Sequence, residues 1–332
     1  MDMRMSKPRI FITTPITEGA LNRLKAIAEV EMNPDSTKPI PKDALIAAVR
    51  RCDILYAVMH DKIDGDVVGA NPKLKGICTS AVNTLYIDAA TATKNKIPVT
   101  IMPHIVIVPT ADQCMALILA VARRTVAADM LVRSGIYPGG QSNYILGSDV
   151  TGKTLALLGG AGRIAREVAK RARGFDMKIL YWTPRRRTPE EEEELGYTYV
   201  SFDDIFRLGD FVSIHSPLTP ETHHQVGERE LSLMKPTAFL INTSRGPVVD
   251  EAALVRALQS KKIAGAGLDV FEFEPKVSPE FLKMDNVVLN PHLGSATIEC
   301  RSQMANLVAD NIMAILDGKV PPNCVNPEVF KN

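Results

Sequence analysis

The chain has 332 residues, of which 45% are hydrophobic and 23% are charged, and its formal net charge is +1. This balance is typical of a globular protein, and the length leaves room for about two domains of roughly 100–200 residues each. The sequence has no basic stripe interleaved with aromatic residues, which excludes the electrostatic pattern of a nucleic-acid-binding protein.

Neither the cysteines nor the apolar runs indicate an exported or membrane protein. The five cysteines are widely separated and form no C-x-x-C pair, which argues against a disulfide framework or a zinc site. No run reaches about 18 apolar residues, and the first residues lack the apolar stretch of a signal peptide. We therefore expect a cytoplasmic protein with reduced thiols, no membrane partner and no metal.

Short aliphatic runs alternate with amphipathic segments along the first hundred residues. The runs RIFIT, DILYAVM, LKGICTS and IPVTIM predict strands, and EGALNRLKAIAE and DALIAAVRRC predict helices. This alternation is typical of a parallel sheet with helices on its faces. The next segment, residues 110–135, is apolar in its first half and basic later, and it predicts one long helix.

A second series of the same kind follows a loop rich in glycine, proline and serine. Its predicted strands are KTLALL, MKILYW, FVSIHS, AFLINTS, GAGLDVF and NVVLN. The last segment, SATIECRSQMANLVADNIMAILDG, predicts an amphipathic helix that stops at Gly318. The sequence therefore predicts an α/β protein with two doubly wound parallel sheets.

A glycine-rich turn opens the second series. Gly160, Gly162 and Ala165 form a G-x-G-x-x-A pattern between a predicted strand and a predicted helix, and another strand follows. Such a turn brings backbone amides and a helix N-terminus to the pyrophosphate of a dinucleotide. A tight turn with a purely structural role is the alternative.

The strand after this helix ends in YWTPRRRTP, where an acidic residue would hydrogen-bond the ribose of NAD. A hydroxyl and guanidinium groups here favour the 2′-phosphate of NADP, with Thr183, Arg185 and Arg186 as the predicted contacts. Solvated surface arginines are the alternative. The run Glu190 to Glu194 that follows is interpreted as a solvated helix face.

Three charged or titratable residues follow late predicted strands: Arg245, Glu274 and His292. Ligands bind at the carboxyl ends of the strands in doubly wound sheets, so these residues are candidates for a catalytic site. Taken singly, Glu274 and Arg245 could form a structural ion pair, and His292 could be a core histidine.

The motifs INTSRGPVVDEAAL, GAGLDVFEFEP and MDNVVLNPHLGSAT resemble those of the D-isomer-specific 2-hydroxyacid dehydrogenases, with the closest likeness to NADP-dependent glyoxylate/hydroxypyruvate reductases. The likeness extends from the first strand to the PPNCVNPEVF tail. It implies a Rossmann cofactor domain (residues 102–295) inserted into a discontinuous, flavodoxin-like substrate domain (residues 1–101 and 296–332). It also implies a homodimer.

The resemblance also implies roles for the site residues. Arg245 would bind the carboxylate and carbonyl oxygens of a 2-oxo acid, and His292 would protonate the carbonyl oxygen. Glu274 would orient His292 and stabilise its imidazolium form. The predicted cofactor contacts are Thr110, Gly160, Ala161, Gly162, Arg163, Ile164, Thr183, Arg185, Arg186, His215, Pro217, Thr222, Thr243 and Asp269.

The predicted substrate loop departs from the family pattern. In SAVNTLYID, Asn83 stands where glycine is usual and Leu85 stands where aspartate is common. His104 is a further departure. Val82 occupies a position where phosphite dehydrogenases carry lysine, so phosphite oxidation is not expected. Val82, Asn83, Arg245 and His292 are the predicted substrate contacts.

The leading hypothesis is hydride transfer from NADPH to glyoxylate, hydroxypyruvate or a similar short 2-oxo acid, giving a D-2-hydroxy acid. One alternative is a catalytically idle dinucleotide sensor, like the corepressors that share this scaffold. Another is a dehydrogenase of a bulkier D-2-hydroxy acid. Because a methylene changes discrimination by only about 1–3 kcal/mol, the sequence does not rank these substrates.

Overall fold

A computed structural model describes residues 7–35, 37–140 and 142–331 of the chain. The chain divides into two compact units, one of Met1–Val106 with Ala296–Asn332 and the other of Ile107–Ser295. The chain passes from the first unit to the second after Val106 and returns after Ser295. The assignment of substrate binding to the first unit and cofactor binding to the second stays a prediction.

The first unit contains a five-stranded parallel sheet with the order β2-β1-β3-β4-β5. Both faces of β3 and β4 are buried, which explains why their sequences, ILYA and GICT, are apolar without alternation. This order is that of flavodoxin-like folds. The strands are β1 (Arg9–Ile12), β2 (Glu29–Met32), β3 (Ile54–Ala57), β4 (Gly76–Thr79) and β5 (Val99–Thr100).

Five helices cover this sheet. The last, α12, begins after Thr297, whose side chain accepts a hydrogen bond from the Cys300 N–H, and it packs on α1 and β4. It ends at Leu316, and Gly318 has a φ of +71°, as the sequence predicted for its stop. The helices are α1 (Glu18–Ile27), α2 (Lys42–Val49), α3 (Gly65–Gly69), α4 (Ala89–Lys94) and α12 (Ile298–Leu316).

The second unit contains a seven-stranded parallel sheet with the order β12-β11-β10-β9-β6-β7-β8. Counted from β6, the first six strands have the 3-2-1-4-5-6 order of a dinucleotide-binding Rossmann fold, and β12 extends it. The strands are β6 (Thr154–Leu158), β7 (Lys178–Trp182), β8 (Tyr197–Tyr199), β9 (Phe211–Ile214), β10 (Phe239–Asn242), β11 (Gly265–Leu268) and β12 (Val287–Leu289). The predicted fold class is confirmed.

The single helix predicted over residues 110–135 is wrong, because two helices occupy this segment. The first ends at Ala122, and Arg124 takes a left-handed backbone with a φ of 53°. The Ala122 carbonyl accepts a hydrogen bond from the Ser148 N–H at 2.7 Å. A loop residue outside the helix thus satisfies a carbonyl of its last turn, where the first helix ends. The helices of this unit are α5 (Ile107–Ala122), α6 (Thr125–Arg133), α7 (Arg163–Ala172), α8 (Pro189–Leu195), α9 (Phe202–Leu208), α10 (Glu228–Leu233) and α11 (Glu251–Gln259).

Within the described ranges, no helix is both long and apolar enough to cross a membrane. All five cysteines are free thiols, and burial raises the pKa of Cys52 and Cys78 to about 12 and that of Cys114 to about 11.

Candidate active site

The glycine turn joins β6 to α7 as the sequence predicted. Gly160 packs against β7, since a Cβ there would lie 2.6 Å from Cβ of Tyr181. Gly162 precedes the first residue of α7, and a Cβ there would make only an ordinary contact, with the Gly159 carbonyl at 3.5 Å. Gly159, which the G-x-G-x-x-A pattern passes over, has a φ of +81° and no room for a side chain beside Ser216. Gly159 and Gly160 therefore shape this turn, one by its left-handed backbone and both by close packing, whereas the backbone at Gly162 leaves room for a side chain.

The three arginines after β7 have different surroundings. Arg187 supports the glycine turn, because its guanidinium donates to the Ala161 carbonyl and, at 2.8 Å, to Oε1 of Glu191. Thr183 is half-buried, and its carbonyl accepts a hydrogen bond from the Tyr199 hydroxyl. Arg185 is exposed and has no ion-pair partner among the residues that the structure describes.

Arg186 is held by a glutamate from the acidic run. Its Nε and Nη2 donate to the two carboxylate oxygens of Glu192, each at 2.8 Å, and the Tyr181 hydroxyl donates to Oε1 at 2.6 Å. These hydrogen bonds lower the pKa of Glu192 to about 2. The interpretation of residues 190–194 as a solvated face is therefore wrong for Glu192, which is 8% exposed. Its burial follows from the side chain of Tyr181 on β7, a contact that the local charge pattern does not reveal.

Glu274 and His292 form a hydrogen-bonded pair within the second unit. Oε2 of Glu274 lies 3.0 Å from Nδ1 of His292, while Oε1 accepts the Phe271 N–H at 3.0 Å. Both side chains are largely buried, with 22% and 17% of their surfaces exposed. The carboxylate is thus fixed by the backbone on one side and orients the imidazole on the other, so Nε2 is the ring nitrogen directed elsewhere.

Asp269 holds the turn that carries His292. Its carboxylate accepts the N–H groups of Leu293 at 2.7 Å and Gly294 at 2.8 Å, and its carbonyl accepts that of His292 at 2.8 Å. Burial raises the pKa of Asp269, against the lowering effect of these amides. This positioning role was not predicted, and the predicted contact with the nicotinamide stays a prediction. Thr110 lies beside the same turn, 3.2 Å from where a Cβ of Gly294 would be.

Arg245 follows β10 in an extended conformation, and the Asn242 side chain bridges the turn. Asn242 accepts the Ser244 N–H at 2.9 Å and donates to the Arg245 carbonyl at 3.1 Å. The Arg245 guanidinium donates to the Ser244 carbonyl at 2.7 Å, and no carboxylate within the described ranges pairs with it. A half-buried guanidinium with only a carbonyl partner is suited to bind an anion.

A glutamate that sequence reasoning missed supports the loop of Glu274. Glu251, the first residue of α11, is 4% exposed. Its carboxylate accepts the Glu272 N–H at 2.8 Å and the Ser278 N–H at 3.2 Å, and its own N–H donates to Glu272 at 3.0 Å. It therefore fixes the chain on both sides of Glu274. The only local signal is an acidic residue in the first turn of a helix, which is common without such a role.

The loop after β9 contains three further predicted cofactor residues. Nε2 of His215 lies 2.9 Å from the Ser213 hydroxyl, and burial lowers the pKa of His215 to about 4, so this imidazole is neutral near pH 7. Thr222 stabilises the loop by donating to the Pro217 carbonyl at 2.6 Å. Thr243, beyond β10, has a buried hydroxyl without a hydrogen bond of standard geometry to any described residue.

The predicted substrate loop belongs to the first unit. Val82 packs against the cluster of Met102, Cys300 and Met304, whereas Asn83 is exposed. The Asn83 side chain accepts the Leu85 N–H at 3.1 Å, which closes a local turn. Asn83 is not among the described residues with a positive φ, whereas His104 is, at 84°. The substrate contacts of Val82 and Asn83 stay predictions.

Known proteins resemble this chain along its whole length. The family model of the D-isomer specific 2-hydroxyacid dehydrogenase NAD binding domain matches residues 115–294. The glyoxylate reductase of Thermococcus litoralis is 48% identical and that of Korarchaeum cryptofilum 46% identical, each over 98% of both chains. A solved NADPH-dependent glyoxylate/hydroxypyruvate reductase from Sinorhizobium meliloti, in complex with NADP and malonate, is 31% identical, with a TM-score of 0.81 over 98% of this chain and 99% of that chain.

These similarities extend beyond the fold, because identities near 48% over nearly the whole length include both units. The matched family domain also contains the glycine turn, Arg245, Glu274 and His292. The chain belongs to the D-isomer specific 2-hydroxyacid dehydrogenase family and is an NAD(P)-dependent oxidoreductase.

Proposed function

We propose that this enzyme transfers a hydride from NADPH to a short 2-oxo acid, with glyoxylate and hydroxypyruvate as substrates and D-2-hydroxy acids as products. The observation that carries the proposal is the His292–Glu274 hydrogen bond of 3.0 Å, in a unit whose Arg245 has no carboxylate partner among the described residues. The names of the relatives, glyoxylate reductases and a glyoxylate/hydroxypyruvate reductase, support this substrate class.

The site residues divide the work between binding and proton transfer. Arg245 binds the substrate carboxylate, since a planar guanidinium matches two oxygens at once. Nε2 of His292 gives its proton to the carbonyl oxygen as this oxygen gains charge. Glu274 stabilises the imidazolium and keeps Nδ1 occupied, so the proton leaves from the other nitrogen. In the oxidative direction His292 takes the proton back.

The second unit fits a nicotinamide dinucleotide. Gly162 carries no side chain, and α7 begins after it without a side-chain cap, so the first amides of α7 suit a pyrophosphate. The bound cofactor supplies the hydride. The residues that would hold it are Thr110, Gly160, Ala161, Gly162, Arg163, Ile164, Thr183, Arg185, Arg186, His215, Pro217, Thr222, Thr243 and Asp269.

We base the proposed preference for NADP(H) chiefly on Arg185. This side chain is exposed and unpaired within the described chain, whereas Arg186 already binds Glu192 bidentately. A 2′-phosphate could therefore bind the unpaired guanidinium of Arg185. The guanidinium of Arg186 would have to divide its N–H donors between the phosphate and Glu192. No acidic residue lies at Thr183 to repel the phosphate.

The test is turnover with a panel of 2-oxo acids, each with NADPH and NADH, followed by nicotinamide absorbance. We expect fastest turnover with NADPH on glyoxylate or hydroxypyruvate, and a lower NADPH:NADH ratio of kcat/KM in Arg185→Ala but not in the exposed control Arg207→Ala. Cofactor binding without turnover on any acid would favour the sensor. Turnover confined to larger acids would favour the dehydrogenase of a bulkier substrate.

We also propose a homodimer formed through α6 and the segment after it. No residue of α6 is buried, although the helix carries valine, methionine and leucine. Several exposed apolar side chains within one short segment are the material of an interaction surface. Sedimentation should report a dimer that Met130→Glu weakens and the control Leu282→Glu, also at an exposed apolar position, does not. The exposed apolar residues are Val126, Met130, Val132, Ile136, Tyr137, Tyr144 and Leu146.

A further inference from the structure

Two histidines and a glutamate that the proposed reaction does not use lie together in the second unit. His223 and His224 belong to the loop after β9, and Glu272 follows β11. One possible ligand atom from each lies within 4.8 Å of the other two. The imidazole rings are stacked with centroids 4.1 Å apart, and Nε2 of His224 lies 2.7 Å from Oε1 of Glu272. Three donor groups therefore converge without a role in the reaction.

The backbone explains why two consecutive histidines face each other. Consecutive side chains on an extended strand point to opposite sides, but His224 has a left-handed backbone with a φ of 53°. Its N–H donates to the Pro247 carbonyl at 2.8 Å, and the Val226 N–H donates to Val248 at 3.0 Å. These hydrogen bonds hold the unusual backbone in place, so the stacked rings are a property of the folded unit.

Glu272 is oriented in advance. Its Oε2 accepts the Glu251 N–H at 3.0 Å, which leaves Oε1 for His224, and its side chain is only 11% exposed. Supporting hydrogen bonds of this kind fix the ligands of metal ions. The His223 ring is exposed, and its nitrogens have no hydrogen-bond partner among the described residues, so it is accessible to an incoming ion.

We propose that His223, His224 and Glu272 bind Zn²⁺ or a similar divalent transition-metal ion. Two imidazole nitrogens and a carboxylate oxygen are ligands that zinc prefers, and a water completes the tetrahedron. Zinc with bonds of about 2.0–2.1 Å separates its ligand atoms by about 3.4 Å, so modest side-chain rotations suffice. The ion replaces the direct contact between His224 and Glu272 and links the loop after β9 to the end of β11.

The test is zinc titration of the untagged full-length chain by calorimetry in a His292→Asn background, which removes the His292–Glu274 pair as a competing zinc site. We expect one zinc ion per chain. Further substitution of His223→Ala should weaken binding by about tenfold or more, because losing a ligand costs at least as much as losing a supporting hydrogen bond. His104→Asn removes an exposed histidine elsewhere and should leave the affinity unchanged.

A second measurement uses Co²⁺ in place of zinc, since cobalt bound by histidine and carboxylate gives visible absorption bands. These bands should be lost in His223→Ala and in His224→Asn, a substitution that suits the left-handed backbone. Circular dichroism establishes that each variant is folded. Unchanged zinc affinity in His223→Ala, or no saturable binding to the parent, would overturn the proposal.

Discussion

Gly246 lies against the backbone of Phe271, so close that a Cβ on Gly246 would be 1.9 Å from the Phe271 carbonyl carbon and oxygen. This contact joins the two loops that carry the candidate catalytic groups, because Gly246 follows Arg245 and the Phe271 N–H donates to Glu274. Because both sides of this contact are backbone atoms, no flexible side chain could move aside to make room for a methyl group. The position of Arg245 relative to Glu274 thus depends on the absence of a side chain at Gly246.

We predict that Gly246→Ala destabilises the enzyme and displaces these loops. Overpacking typically costs about 1–3 kcal/mol, and backbone atoms that cannot give way place this site at the upper end. The expected result is a lower urea midpoint together with a loss of kcat/KM for the 2-oxo acid. Gly174→Ala is the matched control, since its Cβ would meet nothing within 4 Å. Equal midpoints in the two variants would contradict this account.

The sequence predicted those parts of the molecule that depend on chain order and periodicity. Strands alternate with helices in both units. Gly162 lies in the turn between β6 and α7, and Arg245, Glu274 and His292 each follow a late strand, as the sequence predicted. Parallel strands end at one edge of their sheet, so residues that follow them are neighbours by topology. The hydrogen bond between Glu274 and His292 realises one such expectation.

Features that depend on contacts between distant segments were not predictable. Arg124 breaks the predicted long helix although neither glycine nor proline is present, because the loop at Ser148 caps Ala122. The sequence predicts Glu192 to be one of five exposed glutamates, but in the folded unit its carboxylate accepts hydrogen bonds from Tyr181 and Arg186. Glu251 supports the catalytic loop through chain segments more than 20 residues away. Such contacts leave no periodic trace in the sequence.

We predict that Glu274→Gln lowers kcat/KM by about 10²–10⁴-fold, the range that general acid–base catalysis supplies. An amide retains the size and one acceptor for the Phe271 N–H, but it lacks the charge that stabilises an imidazolium at His292. Cofactor affinity should be nearly unchanged in fluorescence titrations. The control is Glu280→Gln, an exposed glutamate near the same loop. Activity within a few-fold of the wild type would remove Glu274 from the mechanism.

We predict that His215 makes stability depend on pH between about 4 and 6.5. Its pKa falls from 6.5 to about 4 on folding because of burial, so the unfolded chain binds a proton that the native chain does not. Stability is therefore fully present above pH 6.5 and declines as the pH falls towards 4, by up to about 3 kcal/mol.

The measurement for His215 is the urea midpoint at pH 7.0, 5.5 and 4.5 for the wild type and His215→Asn. The variant cannot gain this proton on unfolding, so its midpoint should fall less on acidification. The exposed His104→Asn serves as the control and should follow the wild type. If His215→Asn lost stability as steeply as the wild type, another group would have to account for the dependence.

We predict that Glu192→Gln increases the preference for NADPH. Glu192 engages Nε and Nη2 of Arg186, and its pKa of about 2 keeps it ionised at every working pH. An amide accepts fewer and weaker hydrogen bonds, which frees the guanidinium for a 2′-phosphate. Because NADH lacks this phosphate, kcat/KM should rise with NADPH more than with NADH.

The control for this prediction is Glu193→Gln, which removes the same charge from the exposed neighbouring position of α8. A long-range effect of net charge would change both variants equally, whereas release of Arg186 would appear only in Glu192→Gln. In the double variant Glu192→Gln with Arg186→Ala the gain should vanish, since the freed donors are gone. A lower NADPH:NADH ratio in Glu192→Gln would mean instead that Glu192 holds Arg186 in the orientation that the phosphate requires.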